Sequence, residues 1–251
     1  MNRPFSNVKP GWYLLALVTL YALVVSVLLF SRSSNTTDRP PASGQGSGDD
    51  QDTGASVGGE TAPGPLQLWF PIPGSRLPAS DNNLPSAPRA YRLGVSQGFD
   101  FVDGDVGVPV PYGAAVIAAA DGQVVRADSG YAEMDPRAWE SLLAEVGEAG
   151  ANDEQLDALR GRQVWIRTPA GAVLRYGHLA GIRDGIGLGR TVQRGQVIGF
   201  VGNSGTDDGV AGRRERARLR FEVWQDGGSF LGDGLLPEEV RLAAASLFVG
   251  P

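Results

Sequence analysis

The sequence predicts a mainly β domain, an antiparallel β-sheet groove or sandwich with a small helical insertion, preceded by an N-terminal transmembrane helix. Three observations support this. Short apolar stretches separated by Gly and Pro turns recur from Leu66 to Trp224, a pattern typical of antiparallel β cores. Residues 133–160 show helical spacing instead. Residues 11–31 are almost purely apolar and are long enough to cross a bilayer as a helix.

The apolar segment is interpreted as a retained membrane anchor. Residues 1–10 form a short tail with Arg3 and Lys9, and no convincing small-x-small cleavage site follows residue 31. A cleavable signal peptide is the rival interpretation, but its apolar core would be shorter. We expect a single-pass membrane protein whose N-terminus is cytoplasmic and whose folded domain, residues 66–251, is extracytoplasmic.

Residues 32–65 differ from the rest of the chain because they are rich in Ser, Thr, Gly, Pro and Asp and almost lack apolar side chains. Such a segment cannot repay the entropy of ordering, so it is predicted to be a disordered linker.

Composition excludes several classes of function. The net charge of −6 argues against a nucleic-acid partner, which would need a basic field. The chain has no cysteine, so disulfides, thiolate nucleophiles and cysteine metal sites are excluded. His178 is the single histidine, which excludes any multi-histidine metal site within the chain. A lipoyl-type carrier needs a lysine at a hairpin tip, and Lys9 is the only lysine.

Local signals divide the folded part into elements. A short strand is predicted at residues 67–71, and hairpins are predicted at residues 114–126, turning at Asp121-Gly122, and at residues 163–176. Within the insertion, Asp135 followed by Pro136 indicates the start of one helix, and Asn152 with Gln155 forms a capping pattern for a second. A weaker helix is expected at residues 237–246.

The stretch from Ala217 to Trp224 carries the candidate site. Apolar Leu219, Phe221 and Val223 alternate with Arg218, Arg220 and Glu222, which is the period of a half-buried strand. The three charged side chains therefore share one face, and we predict that this face is functional.

Together with Ser96-Gln97-Gly98-Phe99-Asp100 and Arg175-Tyr176-Gly177-His178-Leu179, this strand resembles the motifs of the lysostaphin/LytM-type zinc endopeptidases, which cut peptide cross-links in bacterial cell wall. Their pattern is H-x-G-x-D, then Y-x-H-L, then H-L-H-F-E. The resemblance covers about residues 66–224 and includes a glycine-rich segment at residues 192–205. It implies the fold of that family and a groove for peptidoglycan peptides.

Carried over residue by residue, the resemblance leaves an incomplete zinc site. Asp100 matches a metal-binding aspartate, and His178 matches a catalytic histidine. Ser96 and Arg220 stand where the two metal-binding histidines belong, and Arg218 replaces the second catalytic histidine. Serine is a poor zinc ligand at neutral pH, and a protonated arginine has no lone pair to donate. Three of five active-site positions are therefore replaced.

The arginines suggest a structural substitute for the metal. A buried Asp100 without a cation would be costly, and a guanidinium at Arg220 can restore neutrality as a bidentate partner. We therefore predict an Arg220–Asp100 ion pair. Arg220, Glu222 and Tyr176 are predicted as binding residues, and His178 alone is not expected to suffice for catalysis.

The function predicted from these residues is that of a pseudoenzyme, a membrane-anchored, inactive LytM-like domain. It would bind peptidoglycan or regulate a cell-wall hydrolase, and no cofactor is expected. The alternative is an active peptidoglycan endopeptidase that uses Asp100, Glu222 and His178 around a non-standard metal site, in which case zinc is implied.

Overall fold

The computed structural model describes residues 65–225 and 228–250. The strands are β1 (Pro88–Arg89), β2 (Gly94–Val95), β3 (Phe99–Val102), β4 (Ala115–Ile117), β5 (Gly122–Ala127), β6 (Val164–Arg167), β7 (Val173–Gly177), β8 (Leu179–Ile182), β9 (Thr191–Val192), β10 (Val197–Val201) and β11 (Arg218–Trp224). The largest sheet is antiparallel and has six strands in the order β3-β11-β7-β6-β5-β9, and a three-stranded sheet in the order β4-β10-β8 lies in the same unit. The prediction of a mainly antiparallel β fold with few helices is confirmed.

One apolar core joins the two sheets. Its members include Phe101 and Phe221 from the larger sheet and Ile198 and Val201 from the smaller one, and all four are fully buried. Strand β11 contributes most directly because its alternate residues, beginning with Leu219, point into this core. Consequently its other face carries the charged side chains, as the sequence pattern predicts.

The predicted helical insertion is present as α1 (Pro136–Ala149) and α2 (Asp153–Arg160). The Asp135 side chain accepts hydrogen bonds from two backbone N–H groups of the first turn of α1, and Asn152 and Gln155 form the predicted capping box at α2. Between the two helices Trp139, Leu142, Val146 and Leu159 form a second, small core. Two further helices are α3 (Asp207–Val210) and α4 (Pro237–Leu247).

Two local predictions are wrong. Residues 67–71 do not form a strand, because only Leu68 makes a bridge, to Phe248. Residues 114–126 are not a hairpin, because β4 pairs with β10 while β5 pairs with β6 and β9. Gly122 serves close packing: a Cβ there would lie 2.4 Å from the carbonyl oxygen of Arg167.

The tail, the anchor at residues 11–31 and nearly all of the linker lie outside the described residues. Among the residues that are described, none of the helices has the length and apolarity to cross a bilayer.

Candidate functional site

The site is built on the register of three neighbouring strands. In the larger sheet β11 lies between β3 and β7, so Arg220 is directly opposite Asp100 on one side and Gly177 on the other. Directly opposite residues on neighbouring strands have their Cβ atoms about 5 Å apart on the same face. Strand pairing therefore brings the predicted site residues Asp100 and Arg220 together.

Asp100 and Arg220 form the predicted ion pair. Arg220 Nε donates to Asp100 Oδ1 at 3.1 Å, and Nη2 donates to Oδ2 at 2.8 Å. The pair is buried, with side-chain exposures of 10% for Arg220 and 7% for Asp100. The bidentate geometry is the strongest form of a guanidinium–carboxylate contact, and it confirms that Arg220 balances the Asp100 charge.

Asp100 has two further cationic neighbours. Arg89 Nη2 donates to Oδ2 at 2.9 Å, and Arg218 Nε lies 4.0 Å from Oδ1. Burial by itself would raise the pKa of the Asp100 carboxyl, but Arg220, Arg218 and Arg89 together hold that pKa below its ordinary value. Asp100 is therefore ionised at neutral pH, with both oxygens engaged.

Ser96 is the second residue, after Asp100, that accepts a hydrogen bond from the Arg220 guanidinium. Its hydroxyl donates to the Gly98 carbonyl at 2.8 Å and accepts from Arg220 Nη1 at 3.1 Å. The side chain is fully buried. Residues 96 and 100 thus converge on the guanidinium, which occupies the point that their side chains share.

His178 follows the end of β7 in an unusual backbone conformation, with φ of 60°. Its Nδ1 lies 2.8 Å from the Ser204 carbonyl oxygen, which can only accept, so Nδ1 carries the proton. Burial, followed by the charges of Arg218 and Arg220, lowers the pKa of His178 well below its ordinary 6.5. The imidazole is consequently neutral at neutral pH, and its Nε2 has a free lone pair.

Glu222 is held in a separate polar cluster farther along β11. Its Oε1 accepts from Arg160 Nε at 2.9 Å, and its Oε2 accepts from Trp224 Nε1 at 2.7 Å. The residue is 1% exposed, and Arg175 lies 3.9 Å from Oε2. Arg160 also donates to the Gln97 side chain. Both carboxylate oxygens are therefore occupied by protein donors.

Tyr176 requires a correction, because it does not face a ligand. The ring is fully buried in the main core, 5.1 Å from the ring of Phe221, and the hydroxyl accepts from the Ala119 backbone N–H at 2.8 Å. Burial raises the pKa of the phenol. Successive residues of a strand face opposite sides of the sheet, so Tyr176 points away from the face that carries Arg220. Tyr176 is therefore a core residue and not a binding residue.

The donor set does not fit the zinc that the sequence resemblance implies. A hydrolytic zinc needs about three nitrogen, sulfur or oxygen ligands and one open position. The part of the chain that the structure describes contains no cluster of three His, Cys, Asp or Glu side chains. Asp100 and Ser96 instead share their lone pairs with Arg220, a cation that repels a second cation.

A cavity of about 330 Å³ lies beside this site. The inner faces of α1 and α2 form one of its sides, and charged residues of β11 form another. Its lining includes Arg92, Trp139, Leu143, Leu156, Leu159, Arg160, His178, Asp207, Asp208, Arg216, Arg218, Arg220 and Glu222.

Three arginines of this region have no counterpart among the predicted site residues. Arg89 and Arg92 flank a short turn before β2, and Arg160 ends α2. No sequence motif marks these three arginines. They reach the site only because the turn and the helix that carry them pack against the sheet. Burial of Arg92 and Arg160, at 6% and 7% exposure, is the structural signal that distinguishes them.

Comparison with known proteins supports a resemblance to one peptidase family over about a third of the chain. Residues 143–230 match the family model described as Peptidase family M23, which confirms the predicted resemblance to the lysostaphin/LytM-type enzymes. The matched segment includes His178, Arg218 and Arg220 but begins after Ser96 and Asp100. Among curated protein sequences none matches the chain.

Three solved structures illustrate the likeness. Helicobacter pylori Csd3 is 19% identical, with 72% of this chain and 39% of that chain covered and a TM-score of 0.36. A zinc containing peptidase from Vibrio cholerae is 22% identical, covering 63% of this chain and 37% of that one, with a TM-score of 0.38. The catalytic domain of lysostaphin from Staphylococcus simulans is 20% identical, covering 59% and 79%, with a TM-score of 0.36. The chain spans less than two fifths of the Csd3 and Vibrio proteins.

Proposed function

We propose that residues 66–250 form a catalytically inactive M23-type domain that binds peptidoglycan peptides without cutting them. The observation that carries this proposal is the bidentate Arg220–Asp100 pair, with Nε and Nη2 at 3.1 and 2.8 Å from the two carboxylate oxygens. By the correspondence of sequence motifs, this guanidinium takes the position at which a peptidase of this type needs a Lewis acid and its water.

The remaining groups support inactivity. His178 keeps a free Nε2 lone pair, but a base must act on a polarised water or hydroxyl, and Arg218 cannot supply a second base. Glu222 is the group on which an alternative metal site would depend, and both of its oxygens accept from Arg160 and Trp224. The alternative of an active enzyme with a non-standard metal would require breaking this buried pair, which costs several kcal/mol.

The cationic character of the face supports binding of acidic wall peptides. Arg89, Arg218 and Arg220 surround a single carboxylate, Asp100, so the positive charge exceeds the negative charge there. Carboxylate groups of a peptide would be attracted to such a face. A regulated wall hydrolase is a second partner that the same face would suit if it presents an acidic segment.

The proposed location is the extracytoplasmic side of a membrane. This part of the proposal rests on the apolar segment at residues 11–31 and on the polar linker at residues 32–65 that follows it. An anchored domain on a linker would sample wall peptides close to the membrane.

The test combines three measurements on the full chain in mild detergent. We expect substoichiometric zinc by elemental analysis after gentle purification, no new fragments when cross-linked muropeptides are analysed by chromatography, and sedimentation of the protein together with purified sacculi. An active zinc endopeptidase serves as the positive control for cleavage. Muropeptide cleavage that a chelator abolishes would refute inactivity, and failure to sediment with sacculi would refute peptidoglycan binding.

A further inference from the structure

The cavity beside the Asp100–Arg220 pair has two chemically different walls. Its apolar wall comes from the helical insertion, with Trp139 and Leu143 of α1 and Leu156 and Leu159 of α2. Its polar wall comes from charged side chains of β11, of α3 and the loop after it, and of the turn before β2, together with Arg160 at the end of α2. A volume of about 330 Å³ lies at the lower end of the range for ligand pockets, which begins at about 300 Å³.

The polar wall has more cations than anions. Five arginines line the cavity against three carboxylates, and each carboxylate already has a protein donor. Glu222 accepts from Arg160, Asp207 accepts from the indole N–H of Trp139 at 2.6 Å, and Asp208 accepts from two arginines of the loop before β11. Arg160 and Arg216 pair with carboxylates of the cavity wall, and Arg220 pairs with Asp100. Arg92 and Arg218 are the lining arginines that have no carboxylate oxygen closer than 4.0 Å among the described residues, whereas Asp207, held by a neutral indole, keeps its negative charge.

Arg92 contributes the first unused donor. The residue is only 6% exposed, and its Nη2 donates to the Val95 carbonyl oxygen. Its Nε is buried and has no acceptor among the described residues, and no carboxylate of the described chain lies within ion-pair distance. A buried guanidinium without an anion is costly, and Arg92 lines the cavity, so an anion bound there would compensate its charge although Nε itself is enclosed by protein.

Arg218 is the second arginine of the cavity wall that could donate to a ligand. Its nearest carboxylate oxygen, Asp100 Oδ1, is 4.0 Å away and already accepts from Arg220. The side chain is 29% exposed, so a ligand can reach it. Burial lowers the pKa of both Arg92 and Arg218. An anion bound in the cavity that both side chains line would relieve this electrostatic cost.

We propose that the cavity binds the free carboxylate end of a wall peptide. Arg92 and Arg218 receive the carboxylate, and the apolar wall of Trp139, Leu143 and Leu156 receives a small adjacent side chain. Guanidinium groups match the geometry of a carboxylate bidentately, and the apolar wall favours an amino-acid end over a fully hydrated inorganic anion. This inference rests on the proposed function, and it specifies which part of the wall peptide is recognised.

The first experiment uses calorimetry on the full chain in mild detergent to compare two N-acetylated dipeptides, which differ only in the charge of the C-terminus. The probes are N-acetyl-alanyl-alanine with a free carboxylate and the same dipeptide as its C-terminal amide. We expect the acid to bind at least about tenfold more tightly than the amide, and its binding to weaken with salt. Equal affinity of acid and amide would overturn the proposal, as would displacement of the acid by equimolar inorganic phosphate.

The second experiment locates the site with substitutions. Arg218→Gln and Arg92→Gln are each expected to weaken binding of the acid by about fivefold or more, while circular dichroism checks folding. The matched control is Arg137→Gln, which removes an exposed arginine of α1 that does not line the cavity, and it should change binding by less than about twofold. Should Arg92→Gln fail to fold, the partly exposed Arg218 decides: unchanged binding by Arg218→Gln overturns the proposal.

Sacculus sedimentation separates this inference from the proposed function. If the wild-type chain sediments with sacculi but neither dipeptide binds, wall binding stands and the carboxylate pocket fails. If the wild-type chain does not sediment, the proposed function fails whatever the dipeptides do.

Discussion

Replacing Arg220 by methionine tests the central ion pair most directly. The substitution keeps much of the aliphatic stem but removes three donated hydrogen bonds, two to Asp100 and one to Ser96. Removing one partner of a buried ion pair costs about 3–5 kcal/mol because the other charge stays buried. Arg89 still donates to one Asp100 oxygen at 2.9 Å, so we expect the lower end of that range, about 3 kcal/mol.

The pH dependence supplies a second, independent readout. In the wild type, the folded-state pKa of Asp100 lies below its ordinary 3.8. A depressed folded-state pKa contributes stability above the ordinary value, and this stability is lost as the pH falls through the folded-state pKa. Without Arg220 the burial of Asp100 raises its pKa and protonation becomes less costly. The stability difference between wild type and Arg220→Met should therefore be smaller near pH 3 than at pH 7.

Urea unfolding followed by circular dichroism measures both quantities. Arg137→Met is the control, because this exposed arginine makes no ion pair within the described residues and should stay within about 0.5 kcal/mol of wild type. A loss of less than about 1 kcal/mol for Arg220→Met, or an equal loss at both pH values, would refute the reasoning, since a buried, charge-compensating pair cannot behave in that way.

Three further predictions follow from the same structure. Tyr176→Phe removes the acceptor of a buried backbone N–H and should cost about 1–3 kcal/mol in urea unfolding; wild-type stability would contradict the core assignment. The double substitution Ser96→His and Arg220→His supplies two imidazoles beside an aspartate and should make the protein retain stoichiometric zinc, measured by elemental analysis against wild type. Because the chain has no cysteine, Ser129→Cys should react with an impermeant maleimide on intact cells, whereas Ser6→Cys should not; the reverse pattern would contradict the proposed orientation.

Those parts of the site that depend on strand periodicity can be predicted from the sequence. The alternation along residues 218–224 fixes which side chains share a face, and antiparallel pairing then places Arg220 opposite Asp100. Charge balance then predicts the ion pair between these two residues, because a buried carboxylate needs a cation. Helix capping is equally local, and Asp135 and Asn152 cap α1 and α2 as their sequence pattern predicts.

What the sequence does not reveal depends on contacts between distant segments. Arg92 and Arg160 reach the site from a turn and a helix end, at positions that no local pattern distinguishes. The Asp121-Gly122 dipeptide suggests a hairpin, but the strands on its two sides join different sheets, and Gly122 is needed for close approach to Arg167. Tyr176 shares a motif with His178, yet its ring faces the core because successive strand residues alternate.

The direct opposition of Arg220 and Asp100 has a consequence for evolutionary reversibility. The ligand set of the zinc endopeptidases that this chain resembles would require histidines at positions 96 and 220, and a change at position 220 alone would first remove the cation that balances Asp100. A cost of about 3 kcal/mol is a large share of the 5–15 kcal/mol that holds a typical domain together. Selection would remove most such intermediates, so the ion pair makes a stepwise change of this site into a zinc site costly.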